Sequence, residues 1–384
     1  MNAAKGAPFR WTPQELSGSL ADLGTVLPLA LGAIAVAGMA PAGVLAGFGV
    51  FYVATALVYR LPVPVQPMKA MAAVAMTGAV TPAMLAAGGV LTGVVLLVLG
   101  LTGLIARFAR FVPQSVIAGL QLGLGLALAG VALDLMAGQP VIAAAVLAVL
   151  SLMFIAPRVP AALLGVAAAV LLGQAFGAQN GDVVTGGGLA LAQLWPSPGE
   201  VGDAVSQLVL PQLALTLTNA VLLTALLAGD YFHERAEHVT PRRLSITSGF
   251  ANIALAPIGA LPMCHGAGGL AAHYRFGARS GAAPLMLGLA FVALALAPPQ
   301  VASAALAAIP VAGLGALLLF AAGELAFSRR LFDSRPSCWP VIAVTASVTL
   351  VFDPFWGLIA GGVAEILRAV IIRYVFRGRT AWRS

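Results

Sequence analysis

Charge is what this chain has least of. Of its 384 residues only 9% are Asp, Glu, Lys or Arg, while 60% are hydrophobic, with a mean hydropathy of +1.00. A water-soluble domain carries about a quarter charged residues, so this composition excludes one. Cysteine is scarce too. Cys264 and Cys338 stand far apart with no CxxC and no histidine cluster nearby, which argues against a disulfide framework and against a zinc centre. No HExxH, GxSxG or paired-aspartate signature accompanies His265, Cys264 and Asp22, so an intramembrane enzyme is not expected. No basic stripe with interleaved aromatics is present, and nucleic acid is not an expected partner. Met1 to Pro13 contains no apolar run and no small-residue cleavage site, so no removable signal peptide is expected.

What fills the chain is a series of apolar runs bounded by Pro, Gly or Arg, many near the roughly 20 residues needed to cross the hydrocarbon core. They predict an all-α polytopic membrane protein of about fourteen spans surrounded by lipid. Residues 1–176 form a first set of seven and residues 203–376 a second, with 177–202 an extracytoplasmic loop and 377–384 a cytoplasmic tail. Within the first set the expected spans include 13–38 and 62–79, and within the second 203–230 and 262–277. Basic residues test the topology, because cytoplasmic loops collect Lys and Arg. With both termini inside, Arg60, Arg107, Arg110, Arg158, Arg235, Arg242, Arg243, Arg275, Arg279, Arg329, Arg330, Arg335 and the tail Arg373, Arg377, Arg379 and Arg383 all fall on or close to the cytoplasmic side, and Arg368 can snorkel to it. The formal net charge of +7 is then mostly a positive-inside signature. Lys69 alone breaks the rule.

An odd number of spans per half inverts the second copy in the membrane, which predicts two inverted repeats. Their order and spacing place Pro64 opposite Pro262 and Asp22 opposite Asn219. Both halves are interrupted at the same point, by Pro62-Val63-Pro64-Val65-Gln66-Pro67-Met68-Lys69 and by Pro262-Met263-Cys264-His265-Gly266-Ala267-Gly268-Gly269. These predict broken helices at the third and tenth spans. A helix that starts at mid-membrane presents unpaired N–H groups and the positive end of its dipole, which bind anions. Prolines keep the approach extended, and Gly266, Gly268 and Gly269 let a ligand come close.

Lys69 sits one turn into the first half-helix, where an unpaired ammonium is costly and therefore a functional candidate. The competing reading is a permanent structural pair with Asp22. His265 either donates to an anion and carries a proton, or caps the backbone. Gln66 either donates to a ligand or satisfies backbone freed by the break. Asp22 and Asp230 are the candidate proton-coupling acids, with burial raising the pKa of Asp22, or else Asp22 is a fixed counter-ion. The expected substrate site comprises Gln66, Met68, Lys69, Asn219, Cys264, His265, Gly266, Ala267 and Gly268.

Glu15-Leu16-Ser17-Gly18, Asp22-Leu23-Gly24-Thr25, Pro64-Val65-Gln66-Pro67-Met68-Lys69, Asn219-Ala220-Val221-Leu222-Leu223-Thr224, Asp230-Tyr231-Phe232 and the run from Pro262 to Leu270 resemble the molybdate transporter family of plants and bacteria. That family is a branch of the sulfate permease and nucleobase symporter superfamily. The resemblance implies spans 1–4 and 8–11 as a core domain and spans 5–7 and 12–14 as a gate domain; with only about ten residues after Arg373, the long cytoplasmic regulatory domain of many sulfate permeases is not expected, and neither is a cofactor. It implies a secondary transporter in the cell's inner (plasma) membrane that imports a tetrahedral oxyanion, molybdate first, with protons as the coupling ion. Gate surfaces in the superfamily often dimerise, so a homodimer is an expectation of the resemblance alone. A sulfate or nucleobase carrier and an anion channel of the same fold remain open; Cys264, His265 and glycines at the second break favour an oxyanion over a heterocycle.

Overall fold

The apolar runs fold as helices, and the two interruptions stay non-helical from Pro62 to Met68 and from Pro262 to Gly266 before helix resumes. A computed structural model describes residues 8–77, 80–105, 107, 113–155, 161–176, 196–298, 304 and 308–380. The first half contains α1 (Pro13–Ala21), α2 (Leu23–Ala37), α3 (Pro41–Tyr59), strand β1 (Gln66–Pro67), α4 (Lys69–Met76), α5 (Pro82–Thr102), α6 (Gln114–Ala137), α7 (Pro140–Ile155) and α8 (Ala161–Ala175). The second contains α9 (Pro198–Ala236), α10 (Pro241–Leu255), strand β2 (Met263–Cys264), α11 (Ala267–Arg275), α12 (Ala282–Leu296), α13 (Val311–Ala326), α14 (Trp339–Val351) and α15 (Pro354–Thr380).

Local chemistry sets many of the starts. Proline opens α1, α3, α5 and α10, where its missing N–H costs nothing. Just before three of these helices, Thr12, Thr81 and Thr240 accept the N–H groups of Glu15, Met84 and Arg243. Six described helical segments are long and apolar enough to cross a membrane, seven if α1 and α2 count as one bent span, and shorter apolar helices fill out both halves.

The inverted repeat is visible in the packing. α3 lies along α12 while α5 lies along α10, the same pairing seen from each half. α7 on α8 corresponds in the same way to α14 on α15, and α6 on α14 to α13 on α7. At the centre β1 and β2 pair antiparallel, Gln66 opposite Cys264 and Pro67 opposite Met263, as copies related by a two-fold axis in the membrane plane must. The largest buried cluster draws on α2, α3, α4, α5, α9 and α10, so the strands sit inside the apolar core.

Three boundaries differ from the expectation. The first span bends by 46° around Asp22, whose carbonyl accepts the N–H groups of both Thr25 and Val26; Pro28 further removes one hydrogen bond from the turn that follows. The eighth span starts at Pro198, inside the expected loop, because Ser197 and Glu200 form a reciprocal capping box, and it is interrupted by π turns at Ala204–Val209 and Thr216–Leu223. The last helix continues past Arg373 to Thr380, into the expected tail. Most of the expected outer loop, residues 177–195, lies outside the described residues, as do Lys5, Arg110, Arg158 and Arg383.

Candidate functional site

Two residues from each break make the only backbone ladder among the described residues, and side chains lock it in place. Met68 extends it, donating its N–H to the Pro262 carbonyl at 2.8 Å. Asn252 grips β2 as a second strand would: its Oδ1 accepts the Met263 N–H at 2.9 Å and its Nδ2 donates to the Met263 carbonyl at 2.6 Å. His265, fully buried, bridges to the other half through Nδ1, 2.9 Å from the Pro64 carbonyl. A carbonyl only accepts, so Nδ1 carries the proton, and in the neutral ring Nε2 accepts from the Thr247 hydroxyl at 2.9 Å. Tyr59 Oη stands 2.8 Å from the same hydroxyl. Both nitrogens of His265 are therefore committed to the protein, and its ring forms part of a wall.

The half-helix α4 starts where β1 ends, and its first donors are not left open. Gln212 of α9 places Oε1 2.9 Å from the Ala70 N–H and 3.3 Å from the Met71 N–H, while its Nε2 donates to Thr216 Oγ1 at 2.8 Å. A side chain from the second repeat thus caps the helix of the first.

Asp22, at the bend of the first span, is 1% exposed. Gln66 Nε2 donates to its Oδ1 at 2.5 Å and Tyr52 Oη to its Oδ2 at 2.6 Å. His273 Nε2 approaches Oδ2 to 4.0 Å. This cluster explains two glycines. A Cβ on Gly266 would run into Gln66 Oε1, and one on Gly269 would lie 2.6 Å from both Asp22 Oδ1 and Gln66 Nε2. Gly268 differs, since a Cβ there meets nothing within 4 Å. The glycines at 266 and 269 make room for the protein's own polar pair.

Beside this cluster lies a cavity of about 20 Å³. Gln66, Lys69, Asn219, Cys264 and His265, all expected at the site, line it. Lys69 is partly exposed and makes no hydrogen bond or ion pair among the described residues; the structural pair with Asp22 does not form. Its charge is felt by Cys264 and, across the gap, by Glu324 of α13. Asn219 sits in the second π turn of α9 and lines the cavity, and such insertions often mark functional positions. Gln121 of α6 closes the far side, its Oε1 accepting from Ser328 at 2.9 Å.

The remaining expected residues stand elsewhere. Met68, Gly266 and Ala267 are buried in the strand-to-helix joints behind the cavity. Gly268 is exposed, and Asp230 is exposed near the end of α9 with no hydrogen bond or ion pair among the described residues. Sequence reasoning missed Gln121 and Gln212 on the cavity wall and Tyr52 and His273 around Asp22, and it reads Thr216, which also lines the cavity, as a helix-packing residue. A tyrosine in the middle of the apolar run 41–59 and a glutamine in the run after Pro211 were the available signals.

Comparison with known proteins bears on this arrangement. The family model described as molybdate transporter of MFS superfamily matches residues 14–128 and 204–325. Molybdate transporter 1 of Arabidopsis thaliana is 30% identical over 418 residues, covering 94% of this chain and 89% of its own. Molybdate transporter 2 of the same plant is 30% identical over 390 residues, with 88% and 82% covered. Molybdate transporter 1 of Chlamydomonas reinhardtii is 29% identical over 466 residues, with 90% and 89% covered. Among solved structures, the transmembrane domain of the cyanobacterial bicarbonate transporter BicA superposes with a TM-score of 0.65 at 18% identity, covering 91% of this chain and 96% of that one. Murine Slc26a9, an anion transporter in its inward-facing state, superposes at 0.66 and 15% identity, with 94% and 68% covered.

Proposed function

The chain belongs to the molybdate transporter family and is an anion transporter rather than an enzyme; from that premise we propose that it imports a tetrahedral oxyanion, molybdate first, together with protons. One observation carries the substrate class: the cavity at the paired breaks contains an unpaired cation, Lys69, and no carboxylate among its lining residues. Around it stand neutral groups that can turn a donor inward, Gln66, Gln121, Thr216 and Asn219. A dianion is very costly to take out of water, and this is the set of groups that replaces its hydration without repelling it. A nucleobase would need an acceptor such as a carboxylate facing it, and none lines the cavity. The cavity exceeds the roughly 10–15 Å³ that holds one water, so the larger oxyanion requires the site to open further.

Coupling follows from the membrane potential. Bringing a dianion into a negative interior costs about 2.3 kcal/mol per charge per 100 mV, so uptake needs a co-transported cation. Asp22, buried and one amide away from the cavity through Gln66, is the acid we assign to that role. The distribution of arginine supports both termini in the cytoplasm, and a plasma-membrane location and a homodimer through the gate helices accord with the superfamily.

The test is direct binding of molybdate, tungstate and sulfate to the purified protein, with Lys69→Ala and Asn219→Ala alongside, followed by uptake into liposomes with and without a proton gradient. Molybdate and tungstate bind wild type more tightly than sulfate, and both variants weaken them. Equal affinity in all three proteins removes the site, and uptake indifferent to the proton gradient removes proton coupling.

A further inference from the structure

His273 is fully buried, and its Nδ1 lies 2.8 Å from the Pro62 carbonyl. That carbonyl can only accept, so Nδ1 holds a proton in every state of the ring. The other nitrogen, Nε2, is buried without any hydrogen-bond partner and stands 4.0 Å from Asp22 Oδ2. Two arrangements are chemically acceptable there. Either the ring is an imidazolium whose Nε2–H faces the carboxylate, or the carboxyl group itself is protonated. The third arrangement, a bare lone pair facing a carboxylate in a low dielectric, leaves one net negative charge buried in the membrane.

We propose that His273 and Asp22 together hold one exchangeable proton, and that this buried pair, read at the substrate cavity through Gln66, is the transporter's proton site. The proposal rests on the proton-coupled reading above and names a second residue in it. One proton enters from water and forms either the Nε2–H or the carboxyl O–H bond; no other bond changes. With the proton present the pair is neutral. When it leaves, a negative charge appears one side chain from Lys69 and from the oxyanion, repelling the anion and drawing the lysine's field away. Proton and oxyanion therefore bind together and leave together.

The surrounding groups leave this assignment to the pair. From the first span Glu15 accepts the Arg279 N–H at 2.9 Å. From α3 Tyr52 donates to Asp22, and from α9 Tyr231 stacks on Tyr274 while Asp230 is exposed. On its own helix Arg275 follows at the end, and the nearby Arg279 lies over the Tyr274 ring. Across the strands His265 has both nitrogens engaged and Lys69 faces the cavity, and from α13 Glu324 interacts electrostatically with both Asp22 and Lys69, which makes it the group to compare with the pair.

The experiment measures molybdate affinity against pH, and proton uptake on binding in weak buffer, for purified full-length wild type, His273→Asn and Asp22→Asn. Asparagine keeps an N–H for the Pro62 carbonyl and removes the nitrogen facing Asp22. One-proton linkage makes wild-type affinity weaken about tenfold per pH unit above the titration of the pair. In His273→Asn that slope falls below about twofold per unit and proton uptake is lost. A slope and proton count unchanged in His273→Asn, but abolished in Asp22→Asn, overturns the role of His273 and leaves proton coupling standing. Wild type that binds molybdate without taking up a proton overturns both. If His273→Asn does not fold, nitrogen-15 NMR of the four histidines in wild type decides the matter. One ring, absent from Asp22→Asn, gains an Nε2 proton or a new hydrogen bond on binding molybdate; a spectrum with no such change overturns the proposal.

Discussion

Gln212 accepts the N–H of Ala70 at 2.9 Å, so the half-helix that starts beside Lys69 is capped by a side chain from the opposite repeat. The donors that make a helix start attractive to anions are thereby occupied by a neutral carbonyl oxygen, which still leaves the dipole unbalanced. Replacing it with a fixed anion, Gln212→Glu, puts a competitor where the oxyanion's charge is wanted. Molybdate affinity in this variant falls at least about tenfold, or ~1.4 kcal/mol. Gln212→Ala instead loses the cap, lowering stability by about 0.5–2 kcal/mol with a smaller effect on affinity. Titration calorimetry and thermal melting separate the two, and Gln212→Glu binding molybdate as wild type does would show that the oxyanion sits away from α4.

Lys69 is a cation on the cavity wall with no partner among the described residues. A structural lysine repays its desolvation through a counter-ion, and its removal strands that counter-ion. No carboxylate forms an ion pair with Lys69 among the described residues, so its removal breaks no salt bridge. Lys69→Gln is therefore expected to melt at or above the wild-type temperature while losing most molybdate binding. A marked drop in melting temperature with affinity retained would restore the structural role.

Adjacent glycines give opposite expectations. A Cβ at Gly269 falls 2.6 Å from Asp22 Oδ1, and nothing lies within 4 Å of one at Gly268. Gly269→Ala must push the Asp22 and Gln66 side chains apart, with overpacking worth about 1–3 kcal/mol. Gly268→Ala is expected to transport as wild type does. Comparing uptake at equal expression checks the pair, and equal activity of the two variants would remove the close packing around Asp22.

Much of this was legible along the chain. Alternating apolar runs and arginines, the odd number of runs in each half and two proline-rich breaks led to a polytopic inverted repeat, and mid-span polarity pointed to Gln66, Lys69 and Asn219. What was hidden depends on which side chains meet across spans. Gln212 reads as a polar residue in a helix until the fold sets it on the start of α4, and His273 reads as the basic end of a half-helix until Pro62 and Asp22 close around it. Glycine had two possible meanings, open backbone for a ligand or space for a neighbour. Only the position of Gln66 Oε1 against Gly266 decides for the second. The bend at Asp22 was equally silent, since the residues around it form helix on both sides.

His265 supplies the last expectation, because it lines the cavity yet has no free nitrogen. Its Nδ1–H serves the Pro64 carbonyl and its Nε2 the Thr247 hydroxyl. Removing the ring leaves a buried carbonyl unpaired, which costs about 1–3 kcal/mol, and it releases the segment that carries Gln66 into position. His265→Ala is thus expected to lower the melting temperature, while His265→Asn, which retains an N–H for Pro64, recovers a good part of the loss. In the variant that stays folded, molybdate affinity changes by less than about threefold, under ~0.7 kcal/mol. A group that donated to the oxyanion would behave otherwise: both substitutions would weaken binding by tenfold or more, about 1.4 kcal/mol, with melting little altered. Measuring melting and affinity on the same two proteins therefore decides whether this histidine builds the wall of the site or touches what it holds.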